Sequence, residues 1–156
     1  MTPLLRLAVG CAVVLSLIAG AGCGSDTQSS KDYVSAVNKV QTDFASDVRK
    51  VGSSTPNGAD PAAAAKKTFA DLETAIDKAI SDLKGVQAPD KVKSLHNELI
   101  SEMEQFKSQV SQAGDSLNSK DPQAIVKAQT QFATSASTLG TKISQTIADI
   151  NKQLQG

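Results

Sequence analysis

The chain contains one histidine, His96, so its neighbours decide whether a metal or haem site can form. On a helix, a second ligand for the same ion would stand three or four positions away. Those positions hold no side chain suited to completing such a site: Val92, Lys93, Leu99 and Ile100. Neither a Glu-x-x-His pair of the ferritin-like kind nor a Cys-x-x-Cys-His haem attachment occurs. We therefore predict no metal and no cofactor, with His96 as a partly exposed surface or boundary residue.

Catalytic patterns based on serine or on phosphate binding are also missing. Neither Gly-x-Ser-x-Gly nor Ser-x-x-Lys occurs in a context suited to catalysis, and there is no Gly-rich phosphate loop. We predict that the protein is not an enzyme and assign no catalytic residue. One polar stripe recurs at helical spacing: Glu98, Glu102, Gln105, Gln109 and Gln112. Its simplest interpretation is a solvated helix face, and the alternatives are a cation site or a surface for a basic partner.

The charge of the chain limits its partners. It has 16 basic and 16 acidic side chains, and the basic ones form no cluster. Nucleic-acid binding relies on clustered Lys and Arg that neutralise phosphates, so we do not expect nucleic acid as a partner.

The N-terminal segment has the pattern of a secretory signal. Arg6 is its only charge, Leu7 to Ala19 is almost wholly apolar, and small residues follow. An uncleaved membrane anchor is the alternative, because the uncharged stretch 7–25 is just long enough to span a bilayer. The glycines of "LIAGAGCGSD", Leu17 to Asp26, favour an extended segment in a peptidase cleft over a spanning helix.

The residues around Cys23, "AGAGCGS", resemble the lipobox of bacterial lipoproteins. Ala21 and Gly22 match the small residues that precede the cysteine in that pattern, whereas Gly20 stands where an aliphatic residue is usual. The resemblance implies cleavage after residue 22 and a diacylglyceryl group on the Cys23 thiol. Cys11 would leave with the leader, so the exported chain would keep no pair for an intramolecular disulfide. An ordinary cleaved signal remains open as an alternative.

The rest of the chain shows helical periodicity. After a flexible tether, residues 23–30, apolar residues recur every three or four positions in four segments that span 31–156. Asp60-Pro61 and Asp121-Pro122 predict the starts of the second and fourth helices, and Gly85 predicts the end of the second. We predict an all-α, up-down-up-down antiparallel four-helix bundle. Gly114 and Gly140 are positions where the third and fourth helices could break.

Each predicted helix contains one phenylalanine. With 1.5 Å of rise per residue, Phe44, Phe69, Phe106 and Phe132 fall at nearly the same level of such a bundle, within about one turn. Their simplest interpretation is a well-filled layer of the core. The alternative is an apolar pocket in which the four rings line a site for a small ligand.

The fourth helix carries many hydroxyl and amide side chains and little charge. Its candidate interaction residues are Thr134, Ser137, Thr141 and Ser144. They suit a hydrogen-bonding surface for an envelope protein or a glycan, or simply a neutral exterior.

In general layout the chain resembles the small helical lipoproteins of Gram-positive-type bacteria. We therefore expect a non-enzymatic binding or structural protein, anchored by its lipid to the outer face of the cytoplasmic membrane. The alternative function is a carrier of an apolar ligand.

Overall fold

The protein folds as an antiparallel bundle of four helices. The computed structural model describes residues 25–51, 61–119 and 122–155. The helices are α1 (Ser25–Val51), α2 (Pro61–Gly85), α3 (Lys93–Ser116) and α4 (Pro122–Gln155), and a 3-10 turn at Asp90–Val92 precedes α3. No strand occurs in these ranges. The predicted all-α up-down-up-down bundle is confirmed.

Proline and glycine set several of the helix ends. α2 begins at Pro61 and α4 at Pro122, because proline has helical φ and lacks only an N–H that would be unpaired in the first turn. α2 ends at Gly85, where the backbone N–H of Val86 donates to the carbonyl of Leu83 at 2.9 Å. Pro89 then precedes the 3-10 turn that leads into α3.

The core runs along the bundle axis and draws on all four helices. Its most fully buried side chains are Ile76, Val92 and Val110, each at 0 % exposure. In the described residues, close backbone contact joins helices that follow one another in the chain, whereas α1 and α4 approach each other little. The bundle is therefore most open along its α1–α4 side.

Helix α1 starts earlier than the sequence suggested. Its first residue is Ser25, so residues 25–30 are helical and do not form the flexible tether assigned to them. The physical reason is that neither proline nor glycine occurs between Ser25 and Val51, so nothing stops the amphipathic helix from extending toward the N-terminus. Residues 1–24, which include the predicted signal and Cys23, lie outside the described residues.

The two interior glycines do not interrupt their helices. α3 continues through Gly114 to Ser116, and α4 continues through Gly140. A Cβ placed on Gly114 would lie 3.2 Å from the Cβ of Phe69. Gly114 thus permits α2 and α3 to approach closely beside Phe69.

Candidate functional site

The polar stripe of α3 is partly covered by α4. Glu102 is 6 % exposed, and Thr146 of α4, which hydrogen-bonds to it, is also buried. The other carboxylate oxygen of Glu102, Oε2, is buried and has no hydrogen-bond partner. The interpretation of this stripe as a solvated face is therefore wrong at Glu102, although Glu98 and Gln105 are exposed.

A groove of about 420 Å³ runs between α3 and α4 over this carboxyl group. The residues that line it all have polar or charged side chains: Glu98, Ser101, Glu102, Gln105, Lys142, Gln145, Thr146 and Asp149. Because the helices are antiparallel, Glu98 and Asp149 share the end near the start of α3. Gln105 and Lys142 share the other end, about 10 Å away at 1.5 Å per residue. The groove thus has acidic groups at one end and an ammonium at the other.

Burial changes the acidity of Glu102. Desolvation raises the pKa of its carboxyl group, and Glu98 adds to the rise by charge repulsion. The hydrogen bond from Thr146 and the charge of Lys142 oppose the rise. No ion pair joins Lys142 to Glu102 among the described residues, whereas Asp149 accepts a hydrogen bond from Gln145 at 3.2 Å. The groove therefore holds a buried acid that interacts with the charge of Lys142 but forms no ion pair with it.

His96 has a structural role that the sequence did not indicate. It is 4 % exposed, and its Nε2 lies 3.1 Å from the carbonyl oxygen of Leu83. A carbonyl oxygen can only accept, so Nε2 carries the proton and Nδ1 accepts from the hydroxyl of Tyr33 at 3.2 Å. The expectation of a partly exposed histidine is wrong, because Tyr33 and Leu83 bury the ring and satisfy both nitrogens. Desolvation lowers the pKa of His96.

Three of the four phenylalanines form one ring cluster. The centroids of Phe69 and Phe132 are 5.5 Å apart in an edge-to-face arrangement, and Phe106 stacks on Phe132 at 6.3 Å. Phe44 is half-buried against the core, and no ring contact joins it to the cluster in the described part of the chain. The cluster therefore fills the space between α2, α3 and α4.

The hydroxyls of α4 are largely turned onto their own helix. Those of Thr134, Thr141 and Ser144 donate to the carbonyl oxygens four residues earlier, at 2.8 to 3.1 Å. Thr138 does the same at 3.1 Å. Ser137 is exposed. The hydroxyls with these internal bonds keep lone pairs for a partner, but their protons are already engaged.

A second groove, of about 290 Å³, lies between α1 and α2. Its charged groups are all in ion pairs: Lys50 lies 2.9 Å from Asp47, whereas Lys78 and Asp71 pair with Asp82 and Lys67, which do not line the groove. These pairs satisfy the groups that a ligand would need, so the α3–α4 groove is the better candidate site.

Neither the remaining features of the described residues nor a comparison with known proteins assigns a function. Within the described ranges, no cluster of three or more His, Cys, Asp or Glu side chains is placed to hold a metal ion. None of the helices described has the length and apolar character needed to cross a bilayer. The chain matches no known family model, no curated protein and no solved structure. Function must therefore be argued from the residues themselves.

Proposed function

We propose that the protein is a non-enzymatic lipoprotein of the bacterial cell envelope, held by a lipid on Cys23 and acting as a binding or interaction module. The observation that carries the proposal is "AGAGCGS", in which a cysteine follows small residues at the end of an apolar leader. Two acyl chains on one residue give durable membrane attachment, because each buried methylene contributes about 0.8 kcal/mol.

The start of α1 supports a particular arrangement at the membrane. The described part of the helix begins at Ser25, two positions after Cys23 in the sequence. A helical segment 25–30 advances about 9 Å along one direction, at 1.5 Å per residue. A coil of similar length would let the domain sample many directions. In this proposal the bundle stands close to the membrane with a restricted orientation.

The two cysteines provide a matched test of the anchor. The full chain is expressed in a bacterial host with lipoprotein-processing enzymes, with a clickable palmitate analogue in the medium. We expect Cys23→Ala to lose the label and to leave the membrane fraction. Cys11→Ala, which changes only the leader, should keep both. Label retained in the Cys23→Ala protein, or lost in the Cys11→Ala protein, would overturn the proposed anchor.

A second candidate function is a carrier of a small apolar ligand. The cluster of Phe69, Phe106 and Phe132 is the apolar surface it would use. Because the rings fill the space between three helices, a guest would have to displace them. Native mass spectrometry of the protein purified from its host tests this function. A bound species that disappears in Phe132→Leu supports the carrier, and a ligand-free spectrum of the native protein contradicts it.

A further inference from the structure

We propose that the groove between α3 and α4 binds a primary ammonium or guanidinium group, which is received by Glu102. The inference goes beyond the lipid anchor and does not depend on it. Its starting point is Glu102, which lines a groove of about 420 Å³ and whose Oε2 is buried without a hydrogen-bond partner. A buried acceptor without a donor is costly, and an N–H group of a ligand would remove that cost.

The charges of the groove favour a cation. Glu102 stands near the middle of the groove, with Glu98 and Asp149 toward one end and the single lining cation, Lys142, toward the other. With Glu102 ionised the four groups sum to −2, and with Glu102 protonated to −1. An N–H cation also forms charge-assisted hydrogen bonds with a carboxylate, which are stronger than neutral ones.

The walls also discriminate between kinds of ligand. No aromatic side chain lines the groove, so it lacks the ring faces that hold quaternary ammonium groups. In the described residues there is no cluster of ligating side chains for a metal ion. The hydroxyl oxygen of Ser101 and the amide oxygens of Gln105 and Gln145 can accept hydrogen bonds from the remaining N–H groups of an ammonium or guanidinium ligand. Donors on the ligand are therefore the feature that the groove recognises.

Entry requires a small local movement. Oε2 has almost no accessible surface in the free protein, whereas the neighbouring Lys142 and Gln145 are exposed. Rotation of such long side chains occurs in picoseconds to nanoseconds at a surface. Movement of these side chains would let a ligand ammonium enter the groove and contact the carboxylate of Glu102. Displacement of Lys142 along the groove would also reduce repulsion between the two cations.

The protonation of Glu102 gives the site a characteristic signature. Burial raises the pKa of this carboxyl group in the free protein, and a bound cation lowers it again. Binding near the raised pKa therefore releases protons to the buffer. The charged groups that line the groove with Glu102 are Glu98 on the same helix, and Lys142 and Asp149 on the facing helix α4.

The first experiment measures binding of 1,4-diaminobutane to the full-length protein in detergent by calorimetry at low salt. We expect saturable binding, with proton release seen as a dependence of the heat on the buffer's ionisation enthalpy. Tetramethylammonium, which carries the charge without donors, should bind at least tenfold more weakly. Equal binding of both cations, or no binding of the diamine, would overturn the proposal.

Substitutions distinguish binding at Glu102 from a general effect of the protein's net charge. Glu102→Gln keeps the shape of the side chain and should weaken diamine binding about tenfold or more. Glu104→Gln is the matched control, because Glu104 is exposed on the same helix and pairs with Lys84 at 2.6 Å. It should bind as the parent does, and Lys142→Gln should bind more tightly. Equal weakening in the variants of Glu102 and Glu104 would show screening of net charge and contradict a defined site.

The ammonium could belong to a free amine or to a lysine or arginine side chain of a protein. Competition distinguishes the two sources. Diamine should displace a lysine-containing peptide from the same site, and the preferred source is the one with higher affinity per ammonium group. Binding of the peptide that survives both saturating diamine and Glu102→Gln would place recognition elsewhere and contradict this site.

Discussion

Removing the hydroxyl of Tyr33 should destabilise the bundle through His96. In Tyr33→Phe the ring still packs edge-to-face on the imidazole, whose centroid lies 5.6 Å away. The Nδ1 atom of His96, however, loses its donor while remaining buried at 4 % exposure. Leaving a buried acceptor unpaired costs about 1 to 3 kcal/mol, so we expect the free energy of unfolding to fall by about 2 kcal/mol.

Urea denaturation at pH 7.5, followed by circular dichroism, measures this change. The matched control is Thr42→Val, which removes an exposed hydroxyl on the same helix that donates to the carbonyl of Asn38 at 2.9 Å. It should alter stability by less than about 0.5 kcal/mol. If Tyr33→Phe also stays within about 0.5 kcal/mol of the parent, the hydrogen bond does not stabilise the fold as argued.

The same imidazole should make stability depend on pH. Burial lowers the pKa of His96 from 6.5, so below pH 6.5 the unfolded chain takes up a proton that the folded chain resists. The stability that the neutral imidazole gives to the folded chain is therefore complete above pH 6.5. It is lost as the pH falls from 6.5 through the lowered pKa of the folded state. The slope is at most about 1.4 kcal/mol per pH unit for one group. His96 is the only histidine, which makes the measurement specific.

This titration is best measured between pH 8 and pH 5 in the Glu102→Gln background. The pKa of Glu102 is raised by burial, so its contribution has the opposite sign and would overlap. The pKa of Asp43 is lowered from 3.8 by its hydrogen bond with Lys39, so the stability that this carboxylate contributes is lost only below pH 5. A stability that is flat or that rises from pH 6.5 to pH 5 would contradict a neutral, buried His96.

The remaining predictions concern the groove and the packing of the helices. Glu102→Gln should gain stability relative to the parent as the pH rises above 4.5, because the raised pKa of the glutamate carries a cost only when it ionises; equal pH profiles in urea titrations would contradict this. Phe132→Ala should lower the free energy of unfolding by about 3 kcal/mol, and a loss below about 1 kcal/mol would show that its ring contacts contribute little. Gly114→Val should cost about 1 to 3 kcal/mol by calorimetry, since a Cβ there already meets Phe69, and a stabilised variant would contradict the close approach. In urea titrations, Thr138→Ala should leave stability equal or higher by about 0.5 kcal/mol, and a loss above about 1 kcal/mol would mean that the hydroxyl supports the helix.

Local signals predicted the bundle well. The Asp-Pro pairs located the starts of α2 and α4 because the geometry of proline acts within one turn, and Gly85 located the end of α2 for a similarly local reason. The start of α1 was placed late. The sequence placed its first residue at 31, after the tether, whereas the helix is already present at Ser25, because no proline or glycine interrupts this stretch.

The candidate site was harder to predict, because its features depend on contacts between helices. His96 was assessed only against neighbours on its own helix, whereas Tyr33, its partner, stands 63 residues away in the chain. The axial levels used to align the phenylalanines would also have placed these two residues near the same end of the bundle. Glu102 shares its spacing with exposed polar residues, so its burial depends on where Thr146 of α4 packs.

The central claim is that the mature protein begins at a lipid-modified Cys23, and the most direct test is the mass of its N-terminal peptide. The protein is extracted from bacterial membranes, digested and analysed by mass spectrometry. We predict a peptide that begins at Cys23 and carries a diacylglyceryl group on sulfur. A peptide with intact Met1, or one that begins at an unmodified Cys23, would contradict it.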